Sequence, residues 1–412
     1  MSSEPAAGTT VHQLHRVVLR FGEEVEAAGS HLWIENEHGS VDLGTAHHPN
    51  GDAKALEIAV PALASGGYVL GYHVVASDGD PQVGGVPFAL DLAPVSVGAP
   101  ATAEAPSSVP AASTVAHRHG DDLPAGAARV LLDASLATLV GGLAFVATVW
   151  PAGMASARTR RLLWGATVAA ALTSFVLAVV QHATATGLSF GQALEPAHLR
   201  DILHYRFGRV AVARVVLLAI SAVLMTRLRA ARHRSAGATA WWTIATAVAF
   251  GLFETVVLLG HRSDAGGIAG WARLVHAVGV SVWLGGLVML FVVVLPRRRR
   301  EELLTVLPRF SRLASIAVGA VLIAGAVLAA DLVGGLTTLP TTGYGRVLLA
   351  KLAVVGGLLL IARKSREHVR GSMARSPESI ARPLVAWVAI ELGLMAVVLA
   401  ITALLVSQAP PA

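Results

Sequence analysis

The 412-residue chain contains no cysteine, which excludes a disulfide framework, a thiolate metal site and a thiol redox centre. Charge is scarce as well: Asp, Glu, Lys and Arg make up 14% of the residues, against about 25% in soluble globular domains. Six methionines form no cluster, so a bound metal would rest on nitrogen and oxygen ligands. No HExxH, P-loop, GxSxG or strand-to-helix GxGxxG pattern occurs, which removes motif support for hydrolase or nucleotide-driven chemistry. A non-enzyme is expected. What is present is apolar: 54% hydrophobic residues and a mean hydropathy of +0.63 place the chain in a membrane. The formal net charge of +6 is carried by short loops between apolar runs, which is a topology signal rather than a nucleic-acid footprint.

The run Trp271 to Pro296 is the organising stretch, with Arg273 and His276 its only charged or titratable residues. At 1.5 Å per residue it can cross a hydrocarbon core of about 30 Å. An ionisable group at membrane depth is a functional candidate by default. Around this stretch the chain divides in three. Residues 1–95 alternate short mixed runs (Val17 to Phe21, Leu56 to Val60, Tyr68 to Val75, Val86 to Leu90) with glycine-rich turns. This pattern predicts a small Ig-like β-sandwich. Residues 96–127 are rich in Ala, Pro, Ser and Thr and read as a flexible tether, within which His117 and His119 are either a loose metal site or simply solvated.

Residues 128–412 hold eight predicted spans, near 130–150, 162–183, 208–227, 241–261, 271–296, 313–332, 346–362 and 384–406. The loops after spans 1, 3, 5 and 7 carry the basic residues, including Arg158, Arg229, Arg297 to Arg300, and Arg363 to Arg382. By the positive-inside rule the N-terminal domain and the C-terminus lie outside the cytoplasm. Export of that domain calls for a signal peptide, and Met1 to Pro5 is not one. A start upstream of Met1 is therefore expected.

The membrane region reads as a duplication, with repeats of about 128–262 and 271–407. Phe207-Gly208-Arg209-Val210 with Arg214 matches Tyr344-Gly345-Arg346-Val347 with Lys351 at an offset of 137, and at the same offset Glu254 falls on Glu391. Arg129 with Gly141-Gly142-Leu143 matches Arg273 with Gly285-Gly286-Leu287 at an offset of 144. Four spans per repeat make the repeats parallel, an arrangement found in transporters. Pairs Arg214/Glu254 and Lys351/Glu391 are expected, either as coupling elements or as structural ion pairs that set helix register. The glycine pairs are expected to permit close helix packing.

His182 closes span 2, His261 closes span 4, and His276 lies one to two turns inside span 5, all on the outer side. Glu254 lies seven residues before His261, on the same helix face. Three imidazoles and a carboxylate suit Cu(II) or another borderline divalent ion. Taken singly, each histidine can equally be an interfacial hydrogen-bonder. Nine of the sixteen histidines fall within the first 120 residues, which suits a metal-handling exterior.

Glu4 to Gly8, Val17 to Phe21, Gly67-Tyr68-Val69 and His73 to Pro81 resemble the periplasmic copper-binding CopC family. Val282 to Leu287, Arg309 to Ala314, and Tyr344-Gly345-Arg346 with Lys351-Leu352 resemble the membrane copper-resistance CopD family. The order is that of a CopC–CopD fusion. The resemblance implies a copper-binding sandwich feeding a membrane protein that moves copper toward the cytoplasm. CopC-like proteins hold Cu(II) with a mature N-terminal His plus the Asp and His of an Asp-Gly-His motif. Here Asp78 matches the Asp, Asp80 stands at the His position, and the N-terminal His would precede Met1. Two alternatives follow: the domain has lost tight binding, or His12, His15 or His73 substitutes.

The sequence thus predicts a copper transport or tolerance protein of the bacterial inner membrane. Its partners would be copper ions, the lipid bilayer and an exterior copper donor. Its cargo would be a copper ion, as Cu(II) at the exterior domain, with His276, His261, His182 and Glu254 as membrane ligands. Two rivals remain: a b-type haem redox protein with transmembrane histidines as axial ligands, and a non-transporting copper-binding or sensing module.

Overall fold

A computed structural model describes residues 1–36, 39–77, 81–91, 122–227, 235–257, 267–297, 299–332, 343–375 and 381–406. The N-terminal strands are β1 (Ser2–Glu4), β2 (Thr10–Val11), β3 (Arg16–Arg20), β4 (Val25–Asn36), β5 (Gly39–Gly44), β6 (Ala55–Ala59), β7 (Gly66–Ala76) and β8 (Pro81–Leu90). They form a three-stranded sheet in the order β1-β3-β6 and a five-stranded sheet in the order β2-β8-β7-β4-β5. All ladders are antiparallel except the short β2–β8 pair.

Period-two patterning builds the core between the sheets. On β4, Leu32 and Ile34 are buried and His31 and Glu35 are exposed, as alternation across a pleated strand requires. They meet Val17, Leu19, Leu56, Ile58, Leu70, Val74 and Phe88 in one apolar cluster. Each such side chain contributes about 1.5–3 kcal/mol by leaving water. This is the expected β-sandwich. The β4–β7 register breaks between Glu26 and His31, so residues 27–30 bulge from the sheet, and Gly29 takes the positive φ of 80° that the bend needs.

The rest of the described chain is helical: α1 (Asp122–Thr148), α2 (Ala157–Thr186), α3 (Phe190–Ala193), α4 (Pro196–Asp201), α5 (Arg206–Arg227), α6 (Ser235–Val257), α7 (Ile268–Met289), α8 (Arg300–Leu332), α9 (Gly343–Arg375) and α10 (Ala381–Val406). Among the described residues, seven helical segments are long and apolar enough to cross a membrane: Ala125–Thr148, Ala157–Thr186, Arg206–Thr226, Ile268–Arg297, Glu301–Ala330, Gly345–His368 and Pro383–Leu405. Helix α6 stands where the fourth span is expected, with a shorter apolar stretch, Thr243–Val256. Helix α1 starts at Asp122, inside the range expected for the tether. The remainder of that tether, with His117 and His119, lies outside the described residues.

The chain divides into two units, Met1–His119 with Ala178–Arg209, and Gly120–Leu177 with Val210–Ala412. The first therefore joins the β-sandwich to the segment linking α2 and α5. In the second, α7 is central: 67% of its apolar window is buried, against 22% for the windows of α8, α9 and α10. Helix α7 packs on both α1 and α8. The α1–α7 crossing is made by the duplicated glycines themselves. A Cβ at Gly141 would strike the Ser281 carbonyl and the Gly285 backbone, and one at Gly285 would strike the Ala137 carbonyl and the Gly141 backbone. With no side chain at either position the two backbones touch, which is how helices associate where lipid removes the hydrophobic driving force. Beyond Met289, α7 continues as a π-helical stretch, Leu290–Val294, and a 3₁₀ turn, Leu295–Arg297. The Arg297 guanidinium there sits 5.1 Å over the Trp150 ring, a cation–π contact.

Candidate metal-handling site

The membrane candidates fall into three local settings. On α7, His276 is half-buried, with Nδ1 3.2 Å from the Val321 carbonyl of α8. Its ring lies against Gly325, where a Cβ would stand 3.5 Å from Cε1. Lys351 of α9 is within electrostatic reach of the same imidazole.

Arg214 is almost fully buried. Its Nε donates to Thr255 Oγ1 at 2.9 Å and an Nη to the Thr255 carbonyl at 2.7 Å. The expected Arg214–Glu254 pair is therefore corrected to Arg214–Thr255. Neighbouring residues on a helix point about 100° apart, so turning Thr255 toward α5 turns Glu254, which is half-buried on α6, away from it. The carboxylate within electrostatic reach of Arg214 is Asp133 of α1. Sequence reasoning passed over Asp133, although an acid inside the first predicted span is the same signal that singled out Glu254.

Glu391 is buried on α10 and shares a side-chain hydrogen bond with Ser365 of α9, with Arg366 in electrostatic reach. Lys351 lies fourteen residues before Ser365 on the same helix, about 21 Å along the axis at 1.5 Å per residue. The expected Lys351–Glu391 pair is corrected accordingly: these two groups serve opposite ends of α9. Ser365, Arg366 and Glu391 line a cavity of about 460 Å³ with Trp283, Phe310 and Arg312.

His182 belongs to the first unit. It is 1% exposed, and among the described residues neither ring nitrogen has a hydrogen-bond partner. Tyr205 meets it edge-on at 5.4 Å and stacks on Phe207 at 5.0 Å. His182 borders a cavity of about 380 Å³ with Thr186, His198, Asp201, His204 and, from the β4 bulge, Ala28. The β-sandwich is held here by its own carboxylates: Glu24 pairs with the Arg206 guanidinium, and Glu26 accepts from the Arg206 backbone N–H at 2.8 Å. Burial, followed by the charges of Asp201 and Glu26, pushes the Tyr205 phenol above its ordinary pKa.

In the β-sandwich, His73 and His31 are opposite one another on β7 and β4, and Asp42 Oδ1 is 3.4 Å from His31 Nδ1. Burial first, then His31, holds the His73 imidazole below its usual pKa, so it is the neutral, metal-competent form that is favoured. His12 lies apart, with Nδ1 3.1 Å from the Asp91 carbonyl. His261, Asp78 and Asp80 lie outside the described residues. Among the described residues no three His, Asp or Glu side chains stand gathered closely enough to hold a metal ion.

A β-sandwich followed by a bundle of membrane-length helices, with imidazoles and carboxylates placed inside it, defines a multi-pass membrane protein with an appended β domain. Residues 1–91 match the CopC domain, residues 121–271 the copper resistance protein D-like N-terminal domain, and residues 304–405 copper resistance protein D. Together the three matches give the chain the domain order of a CopC–CopD fusion. It is 26% identical over 373 residues to the copper transport protein CutJ of Bacillus subtilis, a match covering 85% of this chain and 65% of that protein. It is 34% identical over 139 residues to the inner membrane protein YebZ of Escherichia coli, covering 33% of this chain and 47% of that protein. The chain therefore spans 65% and 47% of the length of these two curated relatives. Crystalline CopC from Methylosinus trichosporium OB3b is 31% identical, with coverage of 22% of this chain and 90% of that one and a TM-score of 0.21.

Proposed function

We propose that this protein takes copper at the outer face of the bacterial inner membrane and moves it toward the cytoplasm. The carrying observation is a CopC domain in one chain with a CopD-type bundle whose most buried helix, α7, holds His276. The β domain, with Asp78 as a ligand, receives Cu(II) from an exterior donor. His276, His261, His182 and Glu254 are the ligands that take copper onward. Arg214, Lys351 and Glu391 brace the halves through the partners described above. The β domain and the C-terminus lie outside the cytoplasm, as the alternation of basic loops supports. With no nucleotide motif, movement follows a copper gradient, the membrane potential or a coupled proton, and no chemical transformation is involved.

With Nδ1 of His276 oriented by the Val321 carbonyl, Nε2 is left as the ligating nitrogen; such a second hydrogen bond fixes the tautomer of a ligating imidazole. Copper accumulation in cells tests the reading. His276→Ala is expected to reduce accumulation severalfold at matched expression. Accumulation equal to that of the parent protein would remove His276 from the path.

A further inference from the structure

The segment joining α2 to α5 is built more firmly than a connecting loop needs. A capping box between Ser189 and Gln192 starts α3, and Pro196 occupies the first turn of α4. Helix α4 then tightens into a 3₁₀ turn, Ile202–His204. Along these turns His198, Asp201 and His204 follow at intervals of three, a spacing that keeps side chains on one side of a helix. The Asp201 carboxylate is flanked by both imidazoles, 3.9 Å from His198 Nδ1 and 3.8 Å from His204 Nδ1. Both separations exceed hydrogen-bond length, so none of these groups is committed to the other. All three border the 380 Å³ cavity that His182 also borders. There His182 is buried with two unsatisfied nitrogens, a costly arrangement that calls for a partner.

We propose that His182, His198, Asp201 and His204 form a copper-receiving site between the α2–α5 segment and the CopC-like domain. The donor set, three imidazoles and one carboxylate, suits Cu(II). This site rests on the copper reading above and adds to it a place where cargo leaves the β domain. As the side chains stand they are not gathered around one point; His198 and His204, whose side chains are 36% and 72% exposed, close onto an ion in this proposal by rotation about χ1 and χ2. The β domain supplies the neighbouring wall through Ala28. The next residue, Gly29, carries the backbone group that bonds His73, the imidazole opposite His31. Two imidazole clusters thus flank one bulge of β4, a short path for an ion passing between them.

The test uses the full chain purified in detergent, loaded with Cu(II) and desalted. Copper per chain is measured by mass spectrometry, and the ligand set by nitrogen superhyperfine structure in the electron paramagnetic resonance spectrum. His198→Ala/His204→Ala, at one half-buried and one exposed position, is expected to lose one copper and its nitrogen couplings. His276→Ala is expected to keep that copper. A double variant with the parent's copper content and spectrum overturns the site, as does a parent protein that retains no copper. Copper accumulation in cells separates the two readings: dependence on His276 with unaltered binding in the double variant leaves transport standing and removes the loop site.

Discussion

At the scale of single residues, the buried charges report which neighbours the helices chose. Arg214 is 2% exposed and spends at least two donors on Thr255. Removing one member of such a set leaves the others buried without compensation, typically at about 3–5 kcal/mol. Arg214→Ala is therefore expected to lower the unfolding temperature in detergent by several degrees. If Asp133 is the counter-charge, Asp133→Asn costs less in the Arg214→Ala background than alone, and additive effects in that cycle would exclude the coupling. The presence of Arg214 in a span was legible from sequence; its partner was not. Whether Glu254 or Thr255 faces it depends on helix rotation, which a sequence does not carry. The spacing His198-x-x-Asp201-x-x-His204 was also readable, but it acquires meaning only beside the unsatisfied His182.

At the scale of elements, the duplicated glycine pairs were readable both as a repeat and as a packing device. Folding adds that Gly141 and Gly285, which the offset of 144 pairs in the sequence, touch each other. Their contact places the closest backbone approach of the second unit between α1 and α7. A methyl group at Gly285 would enter the backbone of α1, and overpacking of this kind costs about 1–3 kcal/mol. Gly285→Ala is expected to lower the unfolding temperature in detergent. Gly165→Ala on α2, where no atom lies within 4 Å of the added carbon, is expected to leave it unchanged or raise it, since alanine is the better helix former. Equal effects of the two substitutions would remove the special role of the crossing.

At the scale of the whole molecule, the chain's lack of cysteine makes its orientation directly measurable. A single cysteine at Gly191, exposed at the start of α3, and one at Ala157, exposed at the start of α2, lie at opposite ends of the second predicted span. With the topology proposed above, a membrane-impermeant maleimide labels Gly191→Cys in intact spheroplasts and labels Ala157→Cys only after permeabilisation. The reverse pattern would invert the protein and with it the direction in which the β domain can deliver copper.

The sequence by itself determined the β-sandwich, the apolar spans and the basic-loop alternation, because these rest on local composition and on periods of 2 and 3.6 residues. Resemblance of short motifs added copper. Tertiary structure alone decided the partners: Thr255 for Arg214, Ser365 for Glu391, Val321 for His276, and the cavity shared by His182 and Asp201. Each depends on the azimuth and depth of one element against another. Those quantities are set by the packing of all side chains together, and no window of the sequence contains them.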